Sequence, residues 1–419
     1  MATVVSVHGQ MPTPGKAQEK VIMLSGGTYH IGNGEVIENG YLIFEKGVIT
    51  SIGPKSEEPK PLPEWEVMYT NDKHIYPGLI LPNTTLGLED IEAVRASVDF
   101  REVGDINPNV RSVIAYSTDA EMINTIRFTG VLLAQPAPQG GLVSGSSSIV
   151  QLDAWNWEDA IYLEDDGIWV NWPTKTFGAR WWQGETQRRP NPEYQAQVDQ
   201  IKQLITDAQA YLAAPTANKN LKLEAMRGVV EGNKNLYVRA DGHAEMRDAI
   251  LELKGMGMNR IVLHGGNDAW HVRDLLVQYA VPVVLTEIHR LPAREDESLN
   301  FPYEMPAMLH NYGVKVALGY PSLRSARNLP FVAGTAAAYG LDKEQALRMV
   351  TLSTAEILGI AERTGSLETG KAANIVVSRG DLLDMATHAV EYAFIDGRAV
   401  ALDGLQQRLY EKFKAKYED

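Results

Sequence analysis

Leu236-Tyr237-Val238, Ile261-Val262-Leu263 and Val281-Pro282-Val283-Val284-Leu285 are three short apolar runs, and the segments between them carry helical spacing from His243 to Lys254 and around Ala269 to Gln278. Short apolar runs alternating with amphipathic helices are the rhythm of parallel strand-helix-strand units, whose strands are covered on both faces. The rhythm continues with a helix over Tyr303 to Tyr312, the strand Val314-Lys315-Val316-Ala317-Leu318, and helices over Ala326 to Tyr339 and Lys343 to Met349. Consecutive units of about 25 residues favour closure into a (β/α)8 barrel over an open sheet.

Outward from this stretch the pattern changes. Between Val21 and Ser51 apolar runs alternate with the turn signals Gly26-Gly27, Gly32-Asn33-Gly34 and Glu45-Lys46-Gly47, which predicts β-hairpins. A matching set lies near the other end, in Asn374-Ile375-Val376-Val377-Ser378 and from Ala389 to Ile395 before Asp396-Gly397. Each set is too small for a core of its own, so a small composite β-sandwich from both termini is expected, with the barrel inserted into it. The expected organisation is a disordered leader over 1–19, the sandwich over 20–75 and 365–405, a TIM barrel over 76–364 and a C-terminal helix over 406–419.

Between Trp155 and Pro215 the rhythm breaks. Asn191-Pro192 predicts the start of a long helix reaching about Ala213. Ahead of it Trp155, Trp157, Trp169, Trp172, Trp181 and Trp182 read as packing residues in the first instance and as lid residues in the second. The serine-rich Gly140-Gly141-Leu142-Val143-Ser144-Gly145-Ser146-Ser147-Ser148 reads as a tight loop at the barrel mouth, and it lacks the lysine of a phosphate loop.

Composition narrows the function classes. A net charge of −14 argues against a nucleic-acid surface, which needs clustered Lys and Arg. No apolar run approaches the roughly 20 residues a membrane helix requires. The absence of cysteine removes disulfides, thiolate metal sites and a cysteine nucleophile. The opening Ala2 to Gln10 fits the tail of a trimmed signal peptide, which would place the chain in the periplasm or cell envelope, or a plain leader, which leaves the cytoplasm open.

Two motifs identify a family. Pro77-Gly78-Leu79-Ile80-Leu81-Pro82-Asn83-Thr84-Thr85-Leu86 is one, and Thr351-Leu352-Ser353-Thr354-Ala355-Glu356-Ile357-Leu358-Gly359 followed by Gly365-Ser366-Leu367-Glu368-Thr369-Gly370-Lys371-Ala372-Ala373-Asn374 is the other. Together they resemble the amidohydrolase superfamily, and within it the imidazolonepropionase-like group, over roughly residues 20 to 405. The resemblance implies a metal-dependent hydrolase ancestry, acting on amide or cyclic amide C–N bonds, on a TIM barrel.

In that family the metal ligands come from the C-terminal ends of the barrel strands. The resemblance places Asn83 and Thr85 at the two histidines of the first strand, Arg239 at the histidine of the fifth and His264 at that of the sixth. Tyr320 or Pro321 stands at the aspartate of the eighth. An amide oxygen or neutral hydroxyl is a poor ligand for zinc beside a neutral imidazole, and a permanent guanidinium repels a dication. No metal ligand set is therefore expected here, with zinc only if the site is remodelled.

The remaining candidates keep alternatives. Arg239 reads as a ligand-binding cation or as a partner of Asp241; His264 reads as an acid or base, or as a hydrogen-bonded strand-end residue. Asp241, beside His243, reads as a catalytic acid or a helix cap, and Glu287 with His289 as a remodelled acid/base pair. The loop Arg290-Leu291-Pro292-Ala293-Arg294-Glu295-Asp296-Glu297 reads as a solvated rim. The expected function is that of an amidohydrolase-family protein with a degenerate metal site, retaining a pocket at Asn83, Thr85, Arg239 and Tyr320 for a small-molecule amide or for a partner. The alternative is an active C–N hydrolase with a remodelled site. A homo-oligomer or a complex with a related amidohydrolase is the expected assembly.

Overall fold

The computed structural model describes residues 13–417 apart from 92, 181, 183, 185, 214–217, 293, 295 and 321. Strands β1 (Ile22–Ser25), β2 (Thr28–His30), β3 (Val36–Glu38), β4 (Gly40–Glu45), β5 (Val48–Pro54), β6 (Glu66–Tyr69) and β7 (His74–Pro77) precede the barrel. Barrel strands are β8 (Leu79–Thr84), β9 (Val131–Pro136), β10 (Val143–Gln151) and β11 (Ile161–Asn171), then, after a small ribbon β12 (Thr176–Phe177) and β13 (Arg189–Pro190), β14 (Asn235–Ala240), β15 (Ile261–Gly265), β16 (Val283–Leu285) and β17 (Val316–Leu318). The chain closes with β18 (Ile375–Ser378), β19 (Val390–Ile395), β20 (Arg398–Ala399) and a helix over Leu405–Tyr417.

One eight-stranded sheet runs β17-β16-β15-β14-β11-β10-β9-β8. Its ends meet, since a Cβ on Gly319, just past β17, would lie 3.2 Å from Pro82 of β8. Alternation along each strand sends one set of side chains inward: Ile80, Leu133, Ile149, Trp169, Tyr237, Val262, Val284 and Ala317 form a single buried cluster with one residue from each strand. Ala355, Ile357 and Leu358, from the helix Leu352–Leu358, join that cluster. Neighbours such as Leu81, Leu236, Leu263 and Leu285 point the other way, under the helices. This is the TIM-barrel-type architecture expected from the sequence.

One strand departs from a regular (β/α)8 pattern. β10 runs antiparallel to both β9 and β11, while every other neighbouring pair is parallel. Residues 137–142 join β9 to β10, and a parallel crossover needs roughly a dozen residues or more. Gly140 and Gly141, at φ 86° and 63°, make the turn instead. The serine-rich stretch read as a loop is thus a strand from Val143 onward, because Ser147 and Ser148 are buried and find hydrogen-bond partners inside.

Close approach fixes Gly167 on β11. A Cβ there would lie 2.4 Å from the Asn235 carbonyl oxygen and 2.5 Å from the Tyr237 ring on β14. Gly167→Ala is expected to lose about 1–3 kcal/mol of stability through overpacking, measured by urea unfolding. A loss below a few tenths of a kcal/mol would contradict this packing.

Two further sheets adjoin the barrel. The four-stranded sheet is β5-β4-β1-β6; the six-stranded one, β20-β19-β18-β7-β2-β3, interleaves strands from the two ends of the chain. Leu24, Tyr29, Leu42 and Phe44 pack with Ile375, Val377 and Phe394 in one core between them. Residues 13–19, expected within a disordered leader, bind the folded body. Gly15 donates its N–H to Asp153 at 2.8 Å, and Gln18 donates to the Phe44 carbonyl and accepts from the Gly47 N–H. Residues 1–12 lie outside the described residues. A buried ion cluster ties β20 to the barrel: Asp153 pairs with Arg127 at 2.7 Å and Arg398 at 3.1 Å.

Candidate functional site

At the C-terminal ends of the barrel strands lies a cavity of about 440 Å3 lined by Asn83, Arg101, Gln139, Gly140, Asn171, Arg239, Asp241, His264, Gly265, Thr286 and Glu287. Strand alternation alone would turn Asn83 away from the barrel axis, since Ile80 points inward. Its backbone adopts φ 51°, a left-handed conformation that Asn tolerates, and the alternation breaks there. Gln135 on β9 receives the Asn83 N–H at 3.1 Å.

Arg239 crosses the barrel to meet Asn83. Its guanidinium donates to the Asn83 side-chain oxygen at 2.8 Å, to the Pro138 carbonyl at 3.0 Å and to the Asn171 side-chain oxygen at 3.0 Å. Its carbon sits 4.1 Å from the centroid of the Trp169 ring, a cation–π geometry. All three acceptors are neutral, so the positive charge has hydrogen bonds and a π face but no carboxylate among these contacts. Burial pushes its pKa down to about 9, which leaves it protonated at neutral pH. Pairing with Asp241, one of the expectations, does not occur in these contacts.

His264 lies beside this cation and is 1% exposed. Its ring is 4.5 Å from Trp169 and 5.4 Å from Tyr237, and neither ring nitrogen has a hydrogen-bond partner among the described residues. Burial first, and Arg239 second, hold its pKa well below the usual imidazole value. The ring is therefore neutral and a weak base, and the expectation of a hydrogen-bonded strand-end histidine fails.

Beneath these residues is a buried polar network. Asp166 accepts from Ser147 and Gln135, each at 2.7 Å, and from the Tyr237 hydroxyl; the Trp169 indole donates to Ser147 at 2.7 Å. Burial pushes the Asp166 carboxyl up to about 6 despite these donors. Asn235 donates to the Tyr237 hydroxyl at 3.0 Å and to the Ile357 carbonyl at 2.9 Å, linking the network to the helix below.

The other expected site residues divide. Asp241 and Glu287 face the cavity, and desolvation together with the nearby Glu287 charge raises the Asp241 pKa. Asp241 is not the cap of the following helix, because that position belongs to Gly242 and the His243 N–H points to Asp268 at 3.3 Å. His289 is turned away from Glu287: it hydrogen-bonds Thr335 at 2.8 Å and lines a different cavity. Thr85 is buried, donates to Glu89 at 3.3 Å and borders a separate groove. Tyr320 stacks edge-on near His289, with ring centroids 6.3 Å apart, and Pro321 lies outside the described residues. The structure thus gathers Asn83, Arg239, Asp241, His264 and Glu287, and leaves Thr85, His289 and Tyr320 elsewhere.

Sequence reading missed Asn171, Arg101, Gln139 and the Asp166 network. Asn171 carried a usable signal, a polar residue closing the apolar run Ile168-Trp169-Val170 where a strand should meet the barrel mouth. Among the tryptophans, Trp169 and Trp172 are buried as packing residues, Trp155 and Trp182 are exposed, and Trp181 lies outside the described residues. In the rim loop Arg294 pairs with the exposed Asp296, as a solvated rim should, but the Arg290 and Glu297 side chains are largely buried, which that reading did not anticipate; Ala293 and Glu295 lie outside the described residues.

A second cluster lies in the loops after β15 and β16. Asp268, His271 and Glu297 each offer one ligand atom within 4.8 Å of the others. Arg294 approaches His271 to 3.4 Å and Arg290 approaches Glu297 to 4.0 Å, so two guanidinium groups compete for the same atoms.

Residues 189–400 match the model of the amidohydrolase family. An amidohydrolase from Thermotoga maritima MSB8 superposes with a TM-score of 0.79 at 21% identity, over 91% of this chain and 99% of that one. An adenosine deaminase from Xanthomonas campestris, solved with bound zinc, superposes with a TM-score of 0.55 at 16% identity, over 97% and 98%. In sequence, the adenine deaminase of Moorella thermoacetica is 35% identical over 83 residues, which are 20% of this chain and only 13% of that protein. No described helix is long and apolar enough to cross a membrane. The matched family model covers half of the sequence and the fold agrees with it over nearly all of the rest, so the chain belongs to the amidohydrolase family.

Proposed function

We propose that this amidohydrolase-family chain no longer builds the family's usual metal centre and uses its barrel mouth to bind a small ligand, with hydrolysis of C–N bonds impaired or absent. One observation carries the reading. The Arg239 guanidinium lies against Asn83, so a group that is cationic at neutral pH stands among the positions where the family keeps metal ligands. Asn83 already spends its side-chain oxygen on that cation, and a neutral His264 at 1% exposure is the single histidine left of the set. Such a donor set does not fit a dication. Without the metal, no group at these positions lowers the pKa of an attacking water, and the family's route to a nucleophile is lost.

Metal analysis after dialysis tests this directly. The expected result is far less than one equivalent of zinc, and no turnover of lactams, N-acyl amino acids or dipeptides. Stoichiometric zinc that persists in the wild type and in His271→Ala would overturn the reading.

The Asp268, His271 and Glu297 cluster supports a second reading, an active C–N hydrolase with its metal relocated to the rim. Under that reading zinc is retained by the wild type and lost from His271→Ala. It ranks second because Arg290 and Arg294 crowd the same ligand atoms.

A further inference from the structure

His30 and His74 meet on the face of the six-stranded sheet that looks at the barrel. β2 and β7 run parallel, with Thr28 opposite His74 and Tyr29 opposite Ile75. Tyr29 and Ile75 fill the core between the two sheets, so alternation turns His30, His74 and Tyr76 the other way, where Tyr76 joins the cluster that packs around the barrel. The His30 ring lies flat on Tyr76, with centroids 4.3 Å apart and planes at 4°. Its Nδ1 is 2.7 Å from Glu344 Oε1, in the first turn of the barrel helix Lys343–Met349, and its Nε2 is 3.1 Å from His74 Nδ1. His30 is 5% exposed, while His74 reaches partly into solvent.

A carboxylate accepts and cannot donate, so His30 Nδ1 carries a hydrogen. Glu344 Oε2 is buried with no hydrogen-bond partner among the described residues, which leaves His30 as the group that answers this carboxylate. The contact between the two rings then needs one hydrogen. With both rings neutral His74 donates it, and with one extra proton either ring can donate while the other accepts. Two extra protons set N–H against N–H and cation against cation across 3.1 Å. Such a pair titrates as a unit. Lys343 and Asp381, the other charged groups that face the rings, pair with each other, and the Tyr76 hydroxyl lies 3.5 Å from Asp381. Burial first and the His30 charge second hold the His74 pKa below the usual 6.5; Lys343 adds to that pull, and Asp381 and Glu344 oppose it.

We propose that His30, His74 and Glu344 form an acid-sensitive joint between the composite sheets and the barrel, closed while the two imidazoles hold at most one extra proton and opened by the second. The second proton has a route, because His74 is the ring that touches solvent. A base held below its unfolded value contributes stability that is complete above pH 6.5 and is lost as pH falls below it, since the open form binds the proton more readily. Opening frees β2 and β7 from the helix Lys343–Met349. β7 runs through Gly78 straight into β8, so the joint holds the root of the strand that carries Asn83.

Amide hydrogen exchange of the full chain, followed from pH 7 to 5 and corrected for the intrinsic effect of pH, tests the joint. Exchange in β2, β7 and the helix Lys343–Met349 should speed up at least about fivefold more in the wild type than in His74→Asn, whose amide can keep the contact with His30 and does not titrate. β14 and β15 should respond alike in the two proteins. Imidazole nitrogen spectra, with His30 and His74 assigned through their own asparagine variants, count the protons over the same range. An equal response of the two proteins at the joint overturns the proposal, as does the absence of any acceleration. So does a spectrum in which both rings are protonated while exchange in all three elements stays slow.

Discussion

Asp153→Ala is expected to destabilise the protein by about 3–5 kcal/mol, the largest effect of any single change considered. Asp153 is 3% exposed, as is Arg127, which donates to it at 2.7 Å. Burial pulls the Arg127 pKa down and the Asp153 charge opposes that pull, so the carboxylate is what makes an interior guanidinium tolerable. Removing it strands Arg127 and also releases Arg398, which donates to Asp153 at 3.1 Å, and the Gly15 N–H at 2.8 Å. The loss should appear as a lower urea midpoint. Asp153→Asn keeps the shape and one acceptor but not the charge, and should fall between wild type and alanine. A cost below about 1 kcal/mol for the alanine variant would mean that Arg127 finds other compensation and the cluster is not a structural tie.

Asp166→Asn is expected to change how stability responds to pH, by up to about 3 kcal/mol. The folded carboxyl is pushed up to about 6, against 3.8 for the free group, because burial outweighs its three side-chain donors. Below pH 3.8 both states hold the proton and the group costs nothing. Between 3.8 and about 6 the unfolded chain ionises first, so stability falls as pH rises; above 6 the cost is complete and constant. An asparagine can accept from Tyr237 and Gln135 without titrating. The variant should therefore gain on the wild type as pH rises from 4 to 7, whatever fixed cost its altered hydrogen bonds carry. Urea unfolding across that range is the measurement, and a wild-type-to-variant difference independent of pH would refute the buried, proton-holding carboxyl.

The sequence made some levels of this structure legible and hid others, for reasons that differ by residue. The strands β14 to β17 and their helices were readable because each is a local pattern, an apolar run or a helical stripe, that does not depend on distant partners. β10 was not readable. Its glycines and serines look like a loop until Asp166 and Trp169 supply the interior partners that satisfy Ser147. Among site residues, the family resemblance placed Asn83, Arg239 and His264 at strand ends, and all three line one cavity. What neither the resemblance nor the local pattern could supply was direction: the positive φ at Asn83, the turn of His289 toward Thr335 and the preference of Arg239 for amides over Asp241 are all set by tertiary contacts. Asp166 was invisible for the same reason, since nothing local separates it from Glu164 and Asp165, and only a β-bulge, with Asp165 at φ 47°, sends the third acid inward.

The interleaving of β7 with β18 in the six-stranded sheet sets an order of events at the ribosome. β2, β3 and β7 emerge early, yet the neighbour of β7 on its far side, β18, begins at Ile375, after the whole barrel has been made. Until then one edge of a half-built sheet is exposed while some 300 residues are added at about 5–20 residues per second, an interval of tens of seconds. Such long-range pairing also slows folding, because loop closure must precede the contacts that reward it. The barrel has a complete interior cluster of its own, with one residue from each strand, and can form before the sheet beneath it is finished. The edge of β7 is thus the last sheet edge of the N-terminal strands to be covered, and the strand that covers it, β18, is among the last to be made.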